Sequence, residues 1–168
     1  MTTKAETVFG SLQEYDKGGV QVIDANPKHY VFSNVFEVAS KSKPYEKVAV
    51  AKNLKYVLEA VRADGVSPWF TASHDESVLV MDGELEIVLM KPEQPLVPDN
   101  KEGSVQLDGA PRGRRMGIIR ARRGHMALLP KGSAYQFRAL KTGVLLLQTI
   151  SGGCTVEKWA DICQGGIQ

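Results

Sequence analysis

SVLVMDGELEIVLM, residues Ser77–Met90, is the stretch that sets the fold class. The apolar run Val78-Leu79-Val80-Met81 meets Asp82-Gly83, after which Leu85, Ile87 and Leu89 alternate with Glu84 and Glu86. A period of two belongs to a strand with one face buried and one face wet. Asp-Gly suits a two-residue turn, so the stretch predicts a hairpin that reverses at Asp82-Gly83. Outward from it, Met116–Ala121, Met126–Leu129, Tyr135–Leu140 and Val144–Ile150 are short apolar runs separated by Gly or Pro, the spacing of an all-β sandwich or barrel. Between Lys47 and Arg62, Leu54, Val57, Leu58 and Val61 stand at helical spacing, yet the Val, Tyr and Ala content suits two buried strands, which are expected here. Residues 91–117 carry Pro92, Pro95, Pro98 and Pro111 among four glycines and predict a long loop. Residues 1–44 predict an N-terminal arm or edge strands, and 45–168 the barrel of what is overall a single domain. Thr155–Cys163 predicts a short C-terminal helix capped by Thr155.

The chain has 168 residues, with 43% hydrophobic and 24% charged, the usage of one folded globular domain. Its 21 basic and 19 acidic residues leave a net charge of +2, so no global field recruits nucleic acid or a membrane surface. Nowhere do about 18 apolar residues follow one another, and the first residues lack the apolar run of a secretory signal, so a cytoplasmic protein is expected. Cys154 and Cys163 would close only a short tail loop and are expected as free thiols. Phosphate-binding glycine loops and the G-x-S-x-G elbow are absent, which removes nucleotide-fold and hydrolase-elbow chemistry. His29, His74 and His125 are the histidines, and neither they nor the cysteines have zinc-module spacing.

Two segments, SHDESVLVMDGELEI and GHMALLPKGSAYQF, resemble the two motifs of the cupins, a family of jelly-roll barrels. Glu76 and Gly83 match the first motif, and Gly124, Pro130 and Gly132 match the second. The resemblance implies a jelly-roll barrel. It also implies a metal position, normally held by two histidines and a glutamate of the first motif and a histidine of the second. Here the first pair falls on Phe70 and Ala72, or on Trp69 and Thr71 in the other alignment, and the last falls on Tyr135. Only Glu76 survives, and one carboxylate cannot fix an iron or manganese ion. A barrel with no metal of its own is expected, its degenerate site made of Glu76, Tyr135 and His74. Set against this, Glu76 could be a buried carboxylate satisfied by partners, and Tyr135 a core residue with its hydroxyl bonded.

The central segment KVAVAKNLKYVLEAVRADGVSPWFTASHDESVLVMDGELEI, with the closing VEKWADIC, resembles the small subunit of the two-component hydroquinone 1,2-dioxygenases. That resemblance implies a larger cupin subunit as partner, a hetero-oligomer with two copies of each, and Fe(II) held by the partner and not by this chain. It implies ring cleavage of hydroquinone by O2 to 4-hydroxymuconic semialdehyde, with an aromatic substrate at or near the interface. Trp69, in SPWFTASHDE, is the candidate wall of that substrate pocket, against the plainer reading of an interface or core anchor. Arg112, Arg114, Arg115, Arg120, Arg122 and Arg123 are candidates for facing an acidic partner, against that of a solvated loop. The alternative is a stand-alone metal-free cupin that binds a small molecule or isomerises it with Glu76 and Tyr135 as acid and base. No recognition helix or RNA-binding aromatic signature supports nucleic acid.

Overall fold

The computed structural model describes residues 9–16 and 34–160. In chain order its elements are a helix, α1 (Val35–Lys41), and the strands β1 (Lys47–Asn53), β2 (Tyr56–Ala63), β3 (Val66–Ala72), β4 (Glu76–Pro92), β5 (Ser104–Leu107), β6 (Gly113–Arg122), β7 (Met126–Leu129) and β8 (Ala134–Ile150). All eight strands belong to one antiparallel sheet. The β4 and β8 strands, 17 residues each, pair along their length and form its spine. On its other edge β4 takes β7 against its first half and β6 against its second. The far edge of β8 takes β3 against its first half and β2 against its second. With each long strand flanked by two short antiparallel partners, one against each half, the sheet curls into the expected all-β cupin barrel.

The strands expected between Lys47 and Arg62 form as β1 and β2. The expected hairpin at Asp82-Gly83 does not form: β4 runs straight through. Asp82 lies opposite Val144 and Glu84 opposite Lys141, with register breaks on either side, so the Asp-Gly pair makes a bulge instead of a turn. Two glycines permit it. Gly83 has φ +87°, and a Cβ on Gly143 would sit 2.0 Å from the Asp82 carbonyl oxygen. The bulge also shifts the side-chain phase, so Val78 and Val80 before it and Leu85, Ile87 and Leu89 after it all face the same core. The separate strands expected at Tyr135–Leu140 and Val144–Ile150 are likewise one strand, because β4 pairs with it on both sides of the bulge, up to Lys141 and again from Val144.

The long loop expected over 91–117 is shorter than that. β4 reaches Pro92, β5 fills part of the remainder by pairing with β3, and β6 starts at Gly113. Pro92 sits at the strand's last position, where its missing donor costs no ladder bond. The one helix among the described residues is α1, in the segment read as an arm. Asn34 caps it by accepting from the backbone N–H of Phe36 and Glu37 at 2.9 and 3.2 Å, and Val38 packs on Val48 and Ala60 outside the barrel. No helix forms over Thr155–Ala160; residues 161–163 lie outside the described region, as do Cys163 and His29. The Thr155 hydroxyl donates to the Ile150 carbonyl at 2.6 Å and accepts from Ser104 N–H at 3.0 Å. Ala49 N–H then donates to the Lys158 carbonyl and Ala160 N–H to the Ala49 carbonyl, at 2.6 and 3.0 Å. The tail's backbone groups are taken by β1, which leaves them unavailable for a helix. Cys154 is a free thiol, and among the described residues no helix is long and apolar enough to cross a membrane.

Candidate functional site

Alternation along each strand decides what the barrel encloses. Most of its interior is apolar, with Phe70, Val78, Ile87, Leu129, Phe137 and Leu147 among the buried core. At one end a polar group interrupts it: Lys47 at the head of β1, Glu59 on β2, Glu76 at the head of β4, Ser104 at the head of β5, Tyr135 and Thr149 on β8, and His74 between β3 and β4. The Tyr135 hydroxyl donates to Glu76 Oε2 at 2.5 Å, and both residues are 1% exposed. Lys47 Nζ donates to Tyr135 Oη at 3.3 Å and to Ser104 Oγ at 3.0 Å, and lies 4.2 Å from the centre of the Phe70 ring. The result is a directed chain, ammonium to phenol to carboxylate. His74 Nε2 shares a hydrogen bond with Thr149 Oγ1 at 3.2 Å and stands 3.9 Å from Glu76 Oε1.

Burial drives the electrostatics. Tyr135 is held well above its usual range, first by desolvation and then by the negative charge and hydrogen bond of Glu76. Glu59 is pushed up to about 7 by burial, with Lys47 pulling it down and Glu76 pushing it further up. Burial lowers His74 while Glu76 opposes the shift. Glu59 Oε2, Glu76 Oε1 and His74 Nδ1 are buried without a hydrogen-bond partner among the described residues. Each therefore carries a desolvation cost that no direct bond offsets.

The three residues of the expected degenerate site, Glu76, Tyr135 and His74, thus come together. Lys47, Glu59, Ser104 and Thr149 were not singled out in the sequence. A glutamate inside the apolar run Val57-Leu58-Glu59-Ala60-Val61 is the one local signal that could have drawn attention to them. The structure also decides between the two first-motif alignments. Phe70 lies in the barrel core, whereas Trp69 packs on the opposite face with Val88 and Ala134. The inward pair is therefore Phe70 and Ala72, which offers no metal donor, and among the described residues no three His, Cys, Asp or Glu side chains gather as a metal set. The donor set does not fit the cupin metal.

Trp69 is 8% exposed, in a cluster with Val88 and Ala134 against which Met90, Leu96 and Leu107 pack. The six arginines divide. Arg120 meets Glu86 at 2.9 Å, Arg122 meets Glu84 at 3.8 Å and Arg123 meets Asp82 at 2.8 Å, so these three find acids on their own chain across the β4–β6 side of the sheet. These pairs form because the glutamates alternating along β4 occupy the outer face that β6 shares. Arg112, Arg114 and Arg115 are exposed where β6 begins. His125 lies in the β6–β7 turn, where its Nδ1 accepts from Arg122 N–H at 2.9 Å, a structural role.

A solved chain of hydroquinone 1,2-dioxygenase from Sphingomonas sp. TTNP3, with 4-hydroxybenzoate bound, is 51% identical to this one, covering 96% of this chain and 99% of that chain at a TM-score of 0.87. The chain belongs to the hydroquinone 1,2-dioxygenase family. A chain of hydroquinone 1,2-dioxygenase PnpCD, in complex with Cd2+ and 4-hydroxybenzonitrile, is 50% identical over 97% of this chain and 99% of that one, again at a TM-score of 0.87. PnpCD solved in complex with Fe3+ also contains a longer chain that matches in fold alone: 13% identity, a TM-score of 0.59, 82% of this chain and 38% of that chain. Neither a protein-family profile nor a curated protein matches the chain.

Proposed function

We propose that this chain is the small, non-metal-binding subunit of an Fe(II)-dependent hydroquinone dioxygenase. The observation that carries the reading is the near end-to-end match to one chain of the hydroquinone dioxygenases, at 51% identity over 96% of this chain. Two further facts support it. The same enzymes contain a second, longer chain of related fold, and the motif positions at Phe70, Ala72 and Tyr135 carry none of the imidazoles that a cupin iron site uses. The reaction of the assembly adds both oxygen atoms of O2 to hydroquinone, giving 4-hydroxymuconic semialdehyde, and Fe(II) held by the larger subunit supplies the redox chemistry. This chain's part is to stabilise its partner, cover the pocket and exclude water. The assembly has two copies of each subunit and is cytoplasmic. Arg112, Arg114 and Arg115 face acidic groups of the partner, and Trp69 forms an apolar wall beside the aromatic substrate.

The barrel interior offers little to the alternative of an acid/base isomerase. Tyr135 and Glu76 are buried and bonded to each other, out of reach of a substrate.

The test is expression of the full-length chain with and without the larger subunit. Alone, it is expected to fold without stoichiometric iron and to leave hydroquinone intact. Together, the two are expected to co-purify with iron and consume O2 and hydroquinone in equal amounts. Iron bound by the isolated chain in a one-to-one ratio would overturn the proposal.

A further inference from the structure

We propose that the ammonium of Lys47 stands in the place of the cupin metal ion, a cation tethered to β1 that neutralises the buried carboxylates of the barrel. The geometry carries it. A cupin directs side chains from four motif positions at one metal, and here the inward positions are Phe70, Ala72, Glu76 and Tyr135. Lys47 Nζ lies 4.2 Å over the Phe70 ring and 3.3 Å from Tyr135 Oη, and that hydroxyl donates to Glu76 Oε2. The ammonium thus contacts the side chains at two of these positions and reaches a third through one hydrogen bond.

The replacements suit an ammonium as they would not suit a metal. An aromatic face attracts a cation through its ring quadrupole, and a phenol accepts from N–H while passing its own proton toward a carboxylate. Neither Phe70 nor a protonated Tyr135 can ligate iron strongly. The carboxylates explain why a cation is still needed. Glu59 and Glu76 are each 1% exposed, each has an oxygen with no hydrogen-bond partner among the described residues, and two buried negative charges in one barrel repel. No histidine stands at these positions, and a lysine from the edge strand β1 supplies positive charge without any ion to acquire or lose. The proposal rests on the cupin fold and stands apart from the assignment as a dioxygenase subunit.

The experiment is a double-mutant cycle on thermal unfolding of the full-length chain, pairing Lys47→Met with Glu76→Gln, which keeps an acceptor for Tyr135 but removes the charge. Lys47→Met is expected to lower the unfolding midpoint by about 10 °C, the effect of stranding a buried charge in a domain of this size. Glu76→Gln in the same chain is expected to recover at least half of that loss. A Lys47→Met chain as stable as the native one would overturn the proposal, and so would a double variant no more stable than Lys47→Met. Should Lys47→Met fail to fold, the double variant is expected to restore folded protein, and its failure to do so would count equally against the proposal.

Discussion

At the scale of single residues, the polar end of the barrel is a set of groups that each make sense only through the others. Tyr135 is the hinge of the set, because its hydroxyl accepts from Lys47 and donates to Glu76. Tyr135→Phe keeps the ring, which packs between Phe70 and Phe137, and removes only the oxygen. The variant is expected to lose ~2 kcal/mol of stability, since a buried carboxylate and an ammonium each lose a partner; chemical denaturation measures it. Glu59 gives the chain a pH dependence. Its folded pKa of about 7 lies above the ordinary 4.5, so between those values the folded state holds a proton that the unfolded state has released. Stability from this group is therefore full below about pH 4.5 and falls as pH rises toward 7, by ~3 kcal/mol in all. Glu59→Gln is expected to flatten that fall, and denaturant midpoints measured at intervals from pH 5 to pH 8 would show whether it does.

At the scale of elements, the β4–β8 pair shows how one bulge replaces two turns. Gly83 and Gly143 face each other so closely that a Cβ on either meets the opposite backbone, with Gly143 the tighter. Gly143→Ala is expected to cost ~3 kcal/mol or to break the pairing, because a close contact with backbone cannot be relieved by a side-chain rotation. Gly132, in the β7–β8 turn, makes the useful comparison. Its φ is +69° but nothing lies within 4 Å of an added Cβ, so Gly132→Ala is expected to cost only ~1 kcal/mol of backbone strain. Thermal unfolding of the two variants side by side separates steric exclusion from strain. The outer face of β4 and β6 carries Arg120–Glu86 and Arg122–Glu84, exposed ion pairs of the kind worth ~0.5 kcal/mol each. They order the surface of the sheet more than they stabilise it.

At the scale of the whole molecule, the two faces of the sheet have separate duties. The inner face encloses the core and the Lys47 group, while part of the outer face holds Trp69 with Val88, Ala134 and Leu96. A substrate-wall role for Trp69 therefore has to be exercised from outside the barrel, toward a partner, and not within it. If the chain acts as proposed, Trp69→Phe, which retains an aromatic anchor, is expected to leave its assembly with the larger subunit intact while lowering kcat/KM for hydroquinone about tenfold, or ~1.4 kcal/mol of transition-state stabilisation. Dissociation of the subunits at unchanged intrinsic activity would instead identify Trp69 as an anchor. Gel filtration and steady-state kinetics on one preparation distinguish the two.

The order of amino acids by itself determined the all-β class, the cupin framework of Glu76, Gly83, Gly124, Pro130 and Gly132, and the loss of the imidazoles, because alternation and motif spacing are local properties of the chain. It could not tell the Asp82-Gly83 bulge from a hairpin turn. Both use glycine at positive φ, and only the presence of β8 opposite, with Gly143 giving it room, keeps β4 running. Nor could it foretell that Thr155–Ala160 would stay extended, since the backbone partner that claims this segment lies on β1, more than a hundred residues earlier. The Lys47 group was hidden for the same reason. Residues 47, 59, 76, 104 and 135 share no spacing, and only the curling of the sheet brings a lysine from one strand over the ring and phenol of two others. Charge placed by long-range strand pairing is a property of the curled sheet alone.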